Sequence, residues 1–445
     1  MEYIIKTPCG ELKGTHSGTD GIIAYKGIRY ARAARFEYPT EVTSWEGVYD
    51  ATEYGACAYQ IRAFSDETKM PKKIFYYNEF RHGREYKYSE DCLFLNVFAP
   101  EKAGENMPVI IYIHGGGFTG GCAHERHFDV PVWPSKGVIG VTINYRLGPL
   151  GFAVLPELKE EVGRTGNYGL YDQLTAIEWV RHNVSAFGGD PDNITIMGQS
   201  AGAMSVQQHC LSPLTKGKFQ KAVMCSGGGI NSFLSPSLPD KHYDFWKSVM
   251  ERAGAKTPSE YKTVPVEAIF TAWQELKKGM KGGFPRPTID GELIVGKGDE
   301  ILKKGEHHTI PYLIGSTSED MLPPFLFSMS KKWCAAQSKD AYLWFFERNL
   351  PGDDHGAWHS ADLWYWFGTL KNSWRPFEAK DYELADEMTD YLTAFAKTGN
   401  PNCDGRARWE SGTKALTLGD TPTEMKNPKS LRLWLTMLTN HAPGE

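Results

Sequence analysis

The chain has 445 residues, a formal net charge of −5 and a charged fraction of 23%. That balance argues against nucleic acid as a partner and offers no basic patch for an anionic lipid surface. No apolar run reaches the roughly eighteen residues of a membrane span.

Neither an internal repeat nor a Pro/Gly/Ser-rich linker divides the chain. The expectation is therefore one large domain over 1–445, although length alone would allow two. The N-terminal Met1-Glu2-Tyr3-Ile4-Ile5-Lys6 lacks the basic segment and apolar core of a signal peptide, which predicts a cytoplasmic protein. The first fifty residues read as short strands with Gly turns, a small antiparallel β layer. Val109-Ile110-Ile111-Tyr112-Ile113 is a continuous apolar run, the pattern of a buried parallel strand. It ends in His114-Gly115-Gly116-Gly117-Phe118, where a glycine run leaves backbone N–H groups unshielded and able to converge on one point. A phosphate-binding loop would continue Gly-Lys-Ser/Thr; this chain continues Phe118-Thr119-Gly120, so an oxyanion-binding loop is the better reading.

Val138 to Asn144 predicts a second buried strand. Leu174, Ile177, Trp179, Val180 and Val184 fall mostly at helical spacing, and Phe187-Gly188-Gly189-Asp190-Pro191 closes that helix. Asn193 to Met197 is a β-branched strand. Gly198-Gln199-Ser200-Ala201-Gly202 follows, and Ala201 to His209 reads as a helix. Strand, tight turn and helix are the context that makes Gly-x-Ser-x-Gly a nucleophile elbow, with Ser200 at a helix N-terminus that favours developing negative charge. Lys221 to Cys225 and Pro311 to Gly315 predict two further strands. Strands separated by helices predict an α/β fold with a mostly parallel central sheet and helices on both faces. Residues 230–305, rich in Pro, Lys and aromatics, read as an insertion over the active site.

A serine needs a base to take its proton and an acid to orient that base. In α/β-hydrolases the chain order is serine, acid, histidine. After the last predicted strand, Glu319 and Asp320 are adjacent carboxylates of which only one can face an imidazole. His355 and His359 stand further on. Their spacing of four would suit a metal pair on a helix, but Gly356 weakens a helix there and no carboxylate ligand is specified. The eight cysteines, at 9, 57, 92, 122, 210, 225, 334 and 403, contain no Cys-x-x-Cys pair, so their spacing does not suggest zinc. Free thiols are expected, and no metal or cofactor.

These residues resemble the type-B carboxylesterase/lipase family, the cholinesterase-like branch of the α/β-hydrolases. Gly27-Ile28-Arg29-Tyr30-Ala31, the segment Ser89 to Val97, Asn144-Tyr145-Arg146, Gly166 to Gln173 and Phe187 to Pro191 are all similar to family motifs, in the family's order. The resemblance implies Ser200 as nucleophile and His359 as base, with His355 a bystander. It implies Gly116, Gly117 and Ala201 as oxyanion donors through their N–H groups. The family shows Asp-Glu-Gly where this chain has Glu319-Asp320-Met321, so Asp320 takes the acid position with a shorter side chain. Ser226 matches a serine near the triad acid. Cys57 and Cys92 resemble a family disulfide, although a cytosolic setting argues for two thiols. Arg35 with Glu90, and Arg146 with Asp172, resemble structural ion pairs.

The expected activity is hydrolysis of carboxylic esters through an acyl-enzyme on Ser200. The alternatives are an inactive cholinesterase-like binding module, or a lipase, acyltransferase or amidase using the same triad. The absence of a long apolar lid speaks against the lipase. The partner is a small-molecule ester, hydrophobic or aromatic; hydroxycinnamate esters are one such class. Aromatics crowd residues 342–374, most expected in the core and some lining a gorge near His359. Phe118 and Phe325 are candidate pocket residues.

Overall fold

The computed structural model describes residues 3–102, 104–230, 235–278 and 284–439. Its centre is a 13-stranded mixed sheet. The strands are β1 (Tyr3–Thr7), β2 (Gly10–His16), β3 (Ile22–Arg29), β4 (Val48–Asp50), β5 (Phe94–Pro100), β6 (Met107–Ile113), β7 (Ile139–Ile143), β8 (Gly189–Gln199), β9 (Lys221–Cys225), β10 (Tyr312–Thr317), β11 (Ala341–Glu347), β12 (Ala415–Gly419) and β13 (Glu424–Met425). The order across the sheet is β1-β2-β3-β5-β7-β6-β8-β9-β10-β11-β12-β13, with β4 paired to β2. From β7 to β12 every pairing is parallel. β1, β2 and β3 pair antiparallel, as expected, while β4 lies parallel to β2; together they join the edge of the main sheet through β2–β3 and β3–β5 and do not form a separate layer.

Every residue of β6, β7, β9 and β10 is buried, which is why these strands read as unbroken apolar runs. Their side chains alternate between two cores. Val109, Ile111 and Ile113 point to one face, packed with residues of helices α1 (Tyr168–Asn183), α2 (Ala201–Leu211) and α3 (Pro323–Ala335). Ile110 and Tyr112 point to the other, against α4 (Ala379–Thr398) and the aromatics of 358–367. A third cluster joins Leu150–Leu158 to Phe245, Trp246, Phe270 and Trp273 of the 230–305 segment.

The aromatic expectation divides. Trp344, Phe345, Phe346, Trp358, Trp364, Trp366 and Phe367 have no exposed surface, so they build core and line no gorge; Trp374 is the exposed one. All eight cysteines are free thiols, so the pairing of Cys57 with Cys92 suggested by the resemblance is not formed. The two ion pairs are present. Arg146 Nη2 meets Asp172 Oδ1 at 2.7 Å and Nε meets Oδ2 at 2.9 Å, with both side chains buried. Arg35 Nε meets Glu90 Oε2 at 2.7 Å.

Candidate active site

Sheet register brings the two glycine motifs together. β6 lies between β7 and β8, so the chain leaves it in one direction and returns on the other side, the kind of crevice where α/β sheets bind ligands. Ile113 is paired with Gly198, which sets the loop after β6 against the turn after β8. The fit is tight. A Cβ on Gly202 would stand 2.0 Å from Ile113 O, one on Gly198 2.3 Å from Gly202 O, and one on Gly115 3.1 Å from Ser200 Cβ. Only glycine allows this approach. Ser200 sits at the turn with φ 55° and ψ −121°, a conformation that costs a non-glycine residue about 1–3 kcal/mol. Its N–H donates to Cys225 O at 2.9 Å, and it caps α2. The strain lifts the half-buried hydroxyl out of the helix.

Gly116 (φ 105°) and Gly117 (φ 62°) turn the preceding loop, closed by Thr119 N–H and Gly120 N–H donating to Gly116 O at 3.1 Å each. Among the described residues, no intramolecular hydrogen bond takes the N–H of Gly116, Gly117 or Ala201. Ala201 opens α2, where such an N–H favours an anion, while Gly116 and Gly117 belong to the loop after β6. Phe118 turns away from them. It is fully buried with φ 58° and packs on Phe152 at 4.8 Å, so it belongs to the core and not to an open pocket. Phe284 instead approaches the loop: its ring stands 3.7 Å from where a Cβ of Gly117 would be, and it is half exposed. Nothing in the sequence marked Phe284 apart from its place inside the 230–305 segment. Phe325 is 49% exposed and packs edge-on against Trp434, beside exposed Met321 and Leu322.

Register also carries the acid into place, since Cys225 pairs with Gly315 and β10 ends a few residues before Asp320. His359 Nδ1 meets Asp320 Oδ1 at 2.5 Å, and Met321 N–H donates to the same carboxylate at 2.9 Å. Glu319 faces the other way. It accepts from Ala357 N–H at 2.9 Å, and its own N–H donates to Ala357 O at 3.1 Å, so it braces the histidine loop. His355 pairs with Asp353 at 3.3 Å and lies in a loop, so its spacing of four from His359 is not a helical turn and makes no metal pair.

Burial alone would raise the Asp320 carboxyl. The charge of His359 and its hydrogen bond outweigh that and hold it below the usual range, helped by the nearby Ser226 hydroxyl, although that hydroxyl makes no hydrogen bond of normal geometry. Burial would lower His359; Asp320, joined by Asp362, outweighs it and raises the imidazole. Asp362, fully buried, is pushed up to about 7 by burial and by Asp320. With a carboxylate at Nδ1, the imidazole proton sits on that nitrogen and Nε2 is left as an acceptor. Gln199 supplies the donor there, Nε2 to Nε2 at 3.1 Å. No local signal in the sequence marks Gln199, the variable position of the pentapeptide, or Asp362.

The carboxylesterase family matches residues 1–341 and 324–434 of this chain. The chain belongs to that family. The para-nitrobenzyl esterase of Bacillus subtilis (strain 168) is 30% identical over 496 aligned residues, 96% of this chain and 97% of that protein. The bile salt-activated lipase of Rattus norvegicus is 36% identical over 96% of this chain and 84% of its own length. A solved PNB esterase superposes with a TM-score of 0.83 at 27% identity, covering 98% of this chain and 99% of that one. The chain is a carboxylic ester hydrolase with the α/β-hydrolase fold. No helix among the described residues is long and apolar enough to cross a membrane.

Proposed function

We propose that this carboxylesterase works through an acyl-enzyme on Ser200, with His359 as base and Asp320 as the acid that orients it. The observation that carries the reading is the 2.5 Å contact between His359 Nδ1 and Asp320 beside a strained Ser200 at a helix start. Ser200 Oγ attacks the ester carbonyl as His359 Nε2 takes its proton. The oxyanion is held by the N–H groups of Gly116, Gly117 and Ala201, each worth about 3–4 kcal/mol to the transition state. The alcohol leaves with the proton from His359. A water then gives its proton to Nε2 and attacks the acyl carbon, and the acid is released as Ser200 regains the proton. Asp320 keeps the imidazole in the required tautomer throughout.

The substrate class is a small ester with a hydrophobic or aromatic group, a reading supported by Phe284 at the oxyanion loop and by exposed Met321, Leu322 and Phe325 immediately after Asp320. The chain acts as one catalytic unit in which the 230–305 segment partly covers the site. Eight free thiols support a reducing, cytoplasmic setting.

A fluorophosphonate probe tests the central step. It should label Ser200 in the native enzyme, and neither Ser200→Ala nor His359→Ala should hydrolyse a p-nitrophenyl ester above background, a loss on the order of a millionfold in kcat. An unlabelled Ser200 in active enzyme would remove the mechanism.

A further inference from the structure

Next to the end of the glycine loop, three soft ligand groups converge. Cys57 Sγ, Cys122 Sγ and a ring nitrogen of His124 all lie within 4.8 Å of one another, and Cys57 Sγ is 3.8 Å from His124 Nε2. All three side chains are buried. Cys57 comes from the short strand Cys57–Ala58, paired with Tyr88–Ser89, while Cys122 and His124 follow the glycine loop. Residues from separate segments leave no spacing signature, which is why the sequence shows no metal motif.

We propose that Cys57, Cys122 and His124 bind one Zn2+ ion that ties the oxyanion loop to the Cys57 strand. Two thiols and an imidazole are the ligand set that favours zinc over hard cations. With Zn–S about 2.3 Å and Zn–N about 2.0–2.1 Å, two tetrahedral ligands stand about 3.5–3.8 Å apart, so the 3.8 Å between Cys57 Sγ and His124 Nε2 needs little adjustment, and the other two pairs, within 4.8 Å, about 1 Å or less. The His124 ring is already fixed in plane. Tyr54 stacks on it at 4.3 Å with an interplanar angle of 3°, and Tyr86 lies against it at 5.2 Å. Such support orients a ligating histidine before the ion arrives. The neighbouring carboxylate of Glu125, whose Oε1 is engaged by Arg81 at 3.0 Å and Arg62 at 3.2 Å, is not among the converging groups, so the fourth position is left to solvent. The charge of the ion neutralises the two thiolates formed when it displaces their protons to solvent.

The site bears on the oxyanion loop directly. Gln60, three residues after Cys57, clasps Gly121: its amide donates to Gly121 O at 3.0 Å and its Oε1 accepts from Gly121 N–H at 3.2 Å. Gly120 O in turn lies 2.1 Å from where a Cβ on Gly116 would be, so the two ends of the loop are in contact. An ion joining Cys57 to Cys122 holds both ends of this clasp. Its effect on turnover rests on the proposed role of Gly116 and Gly117; its binding does not.

The test uses the full chain, reduced and stripped with a chelator, then titrated with Zn2+ against a chromophoric competitor. One Zn2+ per chain is expected. Co2+ in its place should give the near-ultraviolet charge-transfer band of cobalt–thiolate bonds. Cys57→Ser, Cys122→Ser and His124→Asn should each weaken binding by roughly a hundredfold or more, the loss of a ligand exceeding that of an outer partner. Cys92→Ser, also buried, should bind as the parent does. The Co2+ spectrum of the unaltered chain keeps the test decisive if a variant does not fold. Uptake of no Zn2+ by the reduced chain, uptake without a thiolate band, or equal binding by Cys122→Ser overturns the proposal. So does a Cys57–Cys122 disulfide in reduced-handled protein with no metal uptake after its reduction. Loss of p-nitrophenyl ester turnover with intact Zn2+ binding would instead count against the catalytic assignment alone.

Discussion

Gln199 donates its side-chain amide to His359 Nε2 at 3.1 Å, from the position immediately before Ser200. In the proposed mechanism Nε2 takes the Ser200 proton, and this atom is already hydrogen-bonded to the residue next to Ser200. The amide favours neutral imidazole, because only the neutral ring offers a lone pair at Nε2. The proposed mechanism therefore requires the serine hydroxyl to displace this amide as substrate binds, in line with catalytic hydrogen bonds that tighten only in the complex.

Replacing Gln199 by Leu removes that donor and nearly keeps the volume. The imidazolium form should then be favoured by about the worth of one neutral hydrogen bond, about 0.5–1.5 kcal/mol. The acid limb of kcat/KM for a p-nitrophenyl ester should move to higher pH. A limb that stays in place, or moves to lower pH, would show that Gln199 does not act on the base.

Asp362 acts in the opposite sense. His359 is raised above its ordinary value of about 6.5 by Asp320, with a smaller contribution from Asp362. Because the base must be neutral to accept a proton, kcat/KM should rise with pH through a value above that of a free imidazole. Asp362→Asn removes whatever part of that second charge remains ionised, so the acid limb should move to lower pH by a modest amount. Trp366 Nε1, which now donates to Asp362 Oδ2 at 3.2 Å, can donate to the Asn carbonyl instead, so the fold should persist. The check is a pH–rate profile of both proteins at matched ionic strength.

The adjacent carboxylates should separate cleanly by substitution. Asp320→Asn keeps the shape but loses the tautomer control, and kcat should fall by about 10⁴ with the melting temperature nearly unchanged. Glu319→Ala leaves Ala357 N–H unpaired and should cost about 1–3 kcal/mol of stability with a far smaller loss of kcat. Reversed outcomes would exchange the two roles.

Gly116 and Gly117, in the loop proposed to hold the oxyanion, differ in what they exclude. A Cβ on Gly116 would lie 2.1 Å from the backbone oxygen of Gly120, whereas one on Gly117 meets nothing nearer than Phe284 at 3.7 Å. Gly116→Ala should therefore displace the loop and abolish measurable ester turnover. Gly117→Ala has only its φ of 62° to accommodate, about 1 kcal/mol, and should retain folded structure and measurable kcat. Equal damage in both would mean that sterics do not set the difference.

Arg146→Met should act on stability. Asp172 would be left charged and unpaired with no exposed surface, at a cost of about 3–5 kcal/mol. The urea midpoint should drop sharply, while turnover per fluorophosphonate-titrated site stays within a few fold. An unchanged midpoint would refute a structural role for the pair.

The parallel strands, the elbow and the glycine loop were legible from residue order alone, because continuous apolar runs and glycines at forced positions are local signals. Met107–Ile113 and Lys221–Cys225 are buried on both faces and could be read without knowing their neighbours. Ala341–Glu347, equally apolar, was legible as core but not as a strand, since aromatic crowding carries no period. Tertiary structure decided the rest, through register and the direction of side chains. It chose Asp320 over Glu319 for His359, turned Phe118 inward, brought Phe284 to Gly117, and set Gln199 on the imidazole. It also gathered Cys57, Cys122 and His124. Each of these depends on where distant segments lie in space, at distances of a few ångströms that the order of residues along the chain does not encode.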